Sequence, residues 1–287
     1  MPGLRGGTSA ERAVRPLPQT PARTRIRSFL EKMNIKMNQP RHELKFFISP
    51  EVALGVRDFV GEYLDFEEYS VGKREFSYPV HTIYLDSDDW KIYRRTIQGG
   101  QDRWKLRLRY YDDRPDSPVF CEVKHQMTDV VVKHRGGVKR AALDSVLDGH
   151  LPHPEQLTDG HPRQLMALER FVAMMLEVNA RPKLHLSCLR EGYETCDGQT
   201  RVTLDRHLRV SELSGHLLAT RMDHPLMCVD HTVIMVLRFP ERYPNWYQDL
   251  VRAFDLSERD LGQLTPGTIF CAGLQLSPDD LIYNIVL

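Results

Sequence analysis

The segment Arg103-Trp104-Lys105-Leu106-Arg107-Leu108-Arg109-Tyr110 alternates cationic and apolar residues without a break. Period-two alternation is the mark of a strand, whose successive side chains point to opposite faces. Arg103, Lys105, Arg107 and Arg109 then form one row, with heads roughly 6–7 Å apart along the strand. Trp104, Leu106, Leu108 and Tyr110 form the apolar row behind it. Taken alone, such a strand fits a sheet with one solvated face as well as a sheet with a charged cavity.

Other segments repeat the arrangement, which shifts the balance toward a cavity. Arg41, Glu43 and Lys45 share a face, as do Glu122 with Lys124, Lys133 with Arg135, and Arg201 with Thr203 and Asp205. Alternation and β-branched residues predict strands over 41–48, 80–85, 103–110, 119–124, 130–135, 183–190, 201–210 and 233–239. Gln98-Gly99-Gly100-Gln101, Asp112-Asp113-Arg114-Pro115 and Asp197-Gly198 supply breaks between them. Helices are fewer: 50–63 after a Ser49 cap, 88–96 after Ser87, 163–178, and 243–254. The stripe of Leu165, Met166, Leu168, Phe171, Val172, Met175 and Leu176 in the third is core packing. Strands in this excess predict an α+β domain over 41–287, a closed antiparallel β-barrel with a few flanking helices. No internal repeat is visible.

Charge narrows the function classes. Lys plus Arg number 39 and Asp plus Glu number 39, so the formal net charge is zero. A chain that coats nucleic acid carries an excess of positive charge, so nucleic acid is not the expected partner. Any anion site must instead concentrate its cations locally. The five cysteines are odd in number and contain no CxxC pair, which disfavours a disulfide framework and structural zinc. They suit a reducing cytosol, and a cytoplasmic location is expected. No apolar run approaches the roughly 18–20 residues of a membrane span.

Residues 1–40 differ in kind. Arg5, Arg12, Arg15, Arg23, Arg25 and Arg27 stand against only Glu11 and Glu31, among many Pro, Gly and Thr. Such a segment buries little apolar surface and is expected to be disordered. The composition also fits a transit peptide; the reading we favour makes Met33 or Met37 the native start.

Cationic rows around a barrel would enclose a cavity suited to a linear polyanion. Arg forks onto phosphate oxygens and Lys adds a compact charge. The interleaved carboxylates Glu43, Glu122 and Asp205 are candidate ligands for Mn²⁺ or Mg²⁺, which prefer oxygen donors. Asp86-Ser87-Asp88-Asp89 reads as a strand end and a capped helix start rather than a metal loop. The twelve histidines show no HxxxH or HExxH spacing. His125, beside Lys124, is expected either to touch phosphate or to take a solvent or structural role, and Cys121 and Cys188 are expected as packed thiols. Ser187 lacks the context of a nucleophile elbow.

In order, R-x-E-x-K at 41–45, Y-P-V-H-T-I-Y-L-D at 78–86, R-x-K-L-R-x-R-x-Y and E-x-K at 122–124 resemble the VTC domain. That is the polyphosphate polymerase module of the CYTH, or triphosphate tunnel metalloenzyme, superfamily. The resemblance continues through Arg181-Pro182 to Arg190, Arg201 to Asp205, and Arg238-Phe239 with Pro244-Asn245-Trp246. It implies a tunnel that binds ATP at a metal centre and threads inorganic polyphosphate. By this resemblance Lys45, Arg107, Arg109, Lys124, Lys133, Arg190 and Arg201 match phosphate-contacting positions. Lys45, Arg107, Arg109 and Lys124 would carry catalysis by stabilising transferring charge. The face reading adds Arg41, Arg103, Lys105 and Arg135 to the phosphate row.

Two positions depart from the family. Val236 stands where a late strand carries the metal-binding Glu, and Ile269 where a Lys points into the tunnel. Val offers a hard cation nothing, and Ile offers phosphate nothing. Three functions follow: a metal-dependent polyphosphate polymerase, a tunnel triphosphatase, and a non-catalytic polyphosphate-binding domain. Arg41, where triphosphatase relatives carry Glu, disfavours the second. Val236 and Ile269 favour the third over the first.

Overall fold

Strands form wherever the alternation runs long enough. The computed structural model describes residues 41–256, apart from 99–101, 128–129, 214–216 and 229–230. In chain order the elements are β1 (His42–Ile48), α1 (Pro50–Gly61), β2 (Asp65–Phe66), β3 (Ser77–Asp86) and α2 (Lys91–Ile97). Next come β4 (Asp102–Tyr110), β5 (Val119–Met127), β6 (Val130–Val138), α3 (Leu143–Leu147) and α4 (Pro162–Glu177). Then follow β7 (Arg181–Glu194), β8 (Arg201–Glu212), β9 (Leu226–Met227), β10 (Val233–Phe239) and α5 (Tyr247–Phe254). The expected disordered extension and Ile269 lie outside the described residues.

The helix ends follow local chemistry. Val52 N–H donates to Ser49 Oγ at 3.2 Å, as a cap ahead of Pro50 should. Asp86 closes β3 and opens α2 in one stroke. Its Oδ1 accepts the N–H groups of Ser87 and Ile92 at 2.7 and 2.9 Å, and its Oδ2 accepts that of Tyr93 at 2.9 Å. Helix α5 starts at Tyr247, four residues later than the sequence suggests, behind Pro244-Asn245-Trp246. The short β2, β9 and α3 hold too few residues for any period to register.

The strands form one antiparallel sheet in the order β1-β10-β8-β7-β3-β4-β5-β6, with β2 on β7 and β9 on β8. The sheet curls until its two ends approach. They meet at one backbone bridge, where Arg41 and Val131 exchange N–H···O bonds of 3.3 and 3.1 Å. Among the described residues no strand ladder joins β1 to β6, so the fully closed barrel expected from the sequence is not established. Side chains span the seam instead: Lys124 Nζ on β5 reaches Glu43 Oε2 on β1 at 2.7 Å.

Outward apolar rows build the core. Leu106, Leu108 and Val123 pack under Leu168, Phe171 and Met175 of α4. Across the sheet, Phe46, Leu204 and Leu237 pack with Val56 and Val60 of α1 and Leu250 of α5. Each such side chain contributes about 1.5–3 kcal/mol on burial. Helix α4 sits so close to β6 that a Cβ on Gly136 would lie 2.5 Å from Leu168 Cγ and 2.8 Å from the Gln164 carbonyl oxygen. With these two clusters outside, part of the concave face is left for polar groups.

Candidate functional site

The concave face encloses about 1430 Å³ of empty space, its solvent-open mouth included. Alternation puts Arg41, just ahead of β1, Glu43 and Lys45 of β1, Arg107 and Arg109 of β4, and Lys124 of β5 on its wall. Lys133 and Arg135 of β6, Arg190 of β7, Arg201 and Asp205 of β8, and Arg238 of β10 complete the charged lining. Strand β8 holds its contribution by a bulge. His207 has φ of 52°, and the pairing shifts from Ser187↔Arg209 to Leu189↔Arg206. The extra residue lets Asp205 and Leu208 both face inward while Arg209 turns out.

Carboxylates knit the cations together. Glu43 receives Lys124 at 2.7 Å, Arg238 at 3.0 Å and Arg41 at 3.5 Å. Glu122, fully buried beneath the lining, receives Lys133 at 2.6 Å, Arg107 at 2.7 Å and Arg135 at 3.3 Å. Asp205 takes a forked pair from Arg190 Nε and Nη2 at 2.6 and 2.5 Å. Arg201 is paired with Glu67, which also accepts from Tyr78 Oη. Among the described residues Arg109 makes no such ion pair. Its Nη2 donates to Thr82 Oγ1 at 3.2 Å, and its buried Nε has no hydrogen-bond partner among the described residues.

The balance of charge is lopsided. Ten Arg and Lys line the space against three carboxylates, Glu43, Glu194 and Asp205, in a chain of zero net charge. Burial alone would raise Glu43, but Lys124, Arg238, Lys45 and Arg41 hold its carboxyl well below the usual range. Glu122 is held down in the same way, by Lys133, Arg107, Arg109 and Arg135 against its burial. The excess falls on the cations. Burial, with Lys124 and Arg238 nearby, pushes the Lys45 ammonium down to about 7 against the support of Glu43. Burial and the surrounding cations lower Lys105 well below its ordinary value, and burial moves Arg238 down to about 10. A cavity that strains its own ammonium groups toward neutrality stabilises an incoming anion.

Residues 40–260 match the family described as the VTC domain. The chain belongs to that family. The vacuolar transporter chaperone complex subunit 4 of Trypanosoma brucei brucei (strain 927/4 GUTat10.1) is 24% identical over 204 residues, 60% of this chain and 26% of that protein. The subunit 4 of Trypanosoma cruzi (strain CL Brener) is 23% identical over 204 residues, 60% of this chain and 25% of that protein. The chain thus spans about a quarter of the length of these relatives. Of solved structures, a Bacillus halodurans protein described as a candidate adenylate cyclase aligns with TM-score 0.44 and 13% identity. That alignment covers 77% of this chain and 92% of that one. PH1012 of Pyrococcus horikoshii OT3 aligns with TM-score 0.39 and 10% identity, over 77% and 93% of the two chains.

In this VTC domain the described residues do not fit a divalent-cation centre. Glu43, Glu122 and Asp205 stand in separate ion-pair clusters, and no three His, Cys, Asp or Glu side chains converge among the described residues. A hard cation needs several oxygen donors at once. Val236 lines the cavity and pairs with Lys45 across β1 and β10, so an apolar side chain occupies that part of the wall.

Most cationic residues named from the sequence come together in the cavity. Lys105 lies instead in a smaller recess with Trp90 and Tyr93 of α2. Arg103 acts electrostatically on Lys45 and Lys105 from the same strand face, without lining the cavity. Sequence reasoning passed over Arg238 as a site residue, although it shares a face with Val236 two positions away. It also passed over Tyr111, which continues the β4 row past Arg109 and lines the cavity. Cys188 is buried in the wall itself, between Leu186 and Arg190. The inner face is not charged throughout: Val80, Leu184, Leu186, Leu208, Val210 and Ile234 form an apolar cluster inside the curl. Among the described residues no helix is long and apolar enough to cross a membrane.

Proposed function

We propose that this VTC domain binds inorganic polyphosphate or a nucleoside triphosphate in the cationic cavity, as a binding module that does not rely on a resident metal. The surplus of buried cations carries the reading, with Arg109 aimed into the space and its Nε unsatisfied. An extended phosphate chain presents oxygens along its whole length, and rows of Arg and Lys can donate to them at successive points. We also infer a cytoplasmic location, because the described cysteines, three buried and Cys196 exposed, are free thiols.

Family membership supports a second reading, synthesis of polyphosphate from ATP. It is disfavoured by Val236 on the cavity wall and by carboxylates committed to Arg and Lys. The test is thermal denaturation of the full chain with long-chain polyphosphate, beside incubation with ATP and Mn²⁺. A binding module gains several degrees of Tm from polyphosphate, loses that gain on Arg107→Ala/Arg109→Ala, and makes no acid-insoluble polyphosphate. Robust synthesis refutes the module reading, and an unchanged Tm at saturating ligand refutes phosphate binding.

A further inference from the structure

Phosphate binding leaves one feature of the cavity rim unexplained, a group of stacked aromatic rings. Tyr111 lines the cavity, and its ring stacks on Tyr69 with centroids 5.1 Å apart and planes 26° from parallel. Tyr69 also packs on Tyr78 at 5.5 Å. Tyr78 is only 4% exposed, whereas Tyr69 is 47% exposed. The Arg135 guanidinium lies 3.5 Å from the Phe120 ring centroid and 6.0 Å from that of Tyr111. Its positive charge is therefore held among the rings. A bare phosphate chain gains nothing from exposed aromatic faces, but a nucleobase does, since every base offers a π-face.

We propose that Tyr69, stacked on Tyr111, is a platform for the nucleobase of a nucleoside triphosphate whose phosphates enter the cationic cavity. The proposal rests on the phosphate-binding reading above and narrows its ligand class. Spacing supports it. Arg109 lies two residues before Tyr111, roughly 6–7 Å along the extended chain, which is within reach of a triphosphate whose base rests on the rings. Arg135 stands beside the same rings and meets the phosphates nearest the ribose. Stacking reads the flat face of a base rather than its hydrogen-bonding edge, so the platform accepts nucleoside triphosphates whatever their base.

The experiment is isothermal titration of the full chain with ATP and, separately, with inorganic tripolyphosphate, no divalent cation being added. Parent, Tyr69→Ala and Tyr69→Phe are compared. Loss of a stacked ring is expected to weaken ATP about tenfold, and tripolyphosphate by less than about twofold because it has no base to stack. Tyr69→Phe keeps the ring and should bind ATP like the parent, which also separates lost stacking from lost folding. Equal weakening of both ligands, or unchanged ATP affinity in Tyr69→Ala, overturns the platform while leaving the cavity intact. ATP binding as weak in Tyr69→Phe as in Tyr69→Ala overturns it too, since the hydroxyl would then be the contact. A parent chain that binds neither ligand overturns the phosphate reading and the platform with it.

Discussion

Lys45 offers the sharpest test of the cavity's charge. Burial among Lys124, Arg238 and Arg103 pushes its ammonium down to about 7, against the support of Glu43. A bound polyanion favours the charged form and raises this value, so binding takes up a proton wherever the free group is neutral. Full restoration to the ordinary lysine value of about 10.4 makes the effect as large as it can be. The apparent Kd for polyphosphate then rises about 90-fold between pH 6 and pH 9, or about 2.7 kcal/mol. Affinity is highest below the free pKa and is lost as pH climbs through it. Long-chain polyphosphate is the proper ligand, because its internal phosphates keep a constant charge over this range. Calorimetry at pH 7.5 in two buffers of different ionisation enthalpy counts the protons directly. Lys45→Arg keeps the charge fixed and should remove this group's share of the slope, leaving what Lys124 and Lys133, also lowered by burial, contribute. A Kd independent of pH in the parent, or an equal slope in Lys45→Arg, refutes the assignment of a strained ammonium to this position.

Two further outcomes follow from the wall and its packing. Val236→Glu sets a carboxylate beside Lys45 and near Glu43, giving the wall an oxygen donor it lacks; we expect a Mn²⁺-dependent rise in Tm in the variant and none in the parent. Equal Mn²⁺ responses would count against the view that position 236 decides metal binding. Gly136→Ala drives a methyl into Leu168 and the Gln164 carbonyl, and should destabilise the fold by about 1–3 kcal/mol. Denaturant midpoints at constant m-value measure this, and a neutral substitution would show that α4 can move off β6.

The rows of Arg and Lys were legible because the strand period is local: each residue's face is set by its neighbours. The same logic placed Ser49 and the Asp86-Ser87 turn as helix starts. It did not extend to what each row meets. Glu43, Glu122 and Asp205 were named as candidate metal ligands from their number and spacing, and a sequence does not show the Arg and Lys that arrive from other strands to pair with them. Arg238 escaped notice because its partner Glu43 lies 195 positions away. Tyr69 belongs to a stretch with no alternation, and only folding carries it onto Tyr111.

By itself, then, the sequence determined a sheet-rich domain with cationic strand faces, since alternation and core-forming apolar rows are properties of short segments, and the order of its motifs carried the resemblance to the VTC domain. Tertiary structure decided how far the sheet curls, with a single Arg41–Val131 bridge and side-chain pairs at its seam. It also decided, through the bulge at His207, which β8 residues face inward. Above all it determined which charges cancel. Coulomb energy falls with distance in space rather than along the chain, so the surplus that makes this cavity attractive to phosphate exists only once the ends of the sheet have met.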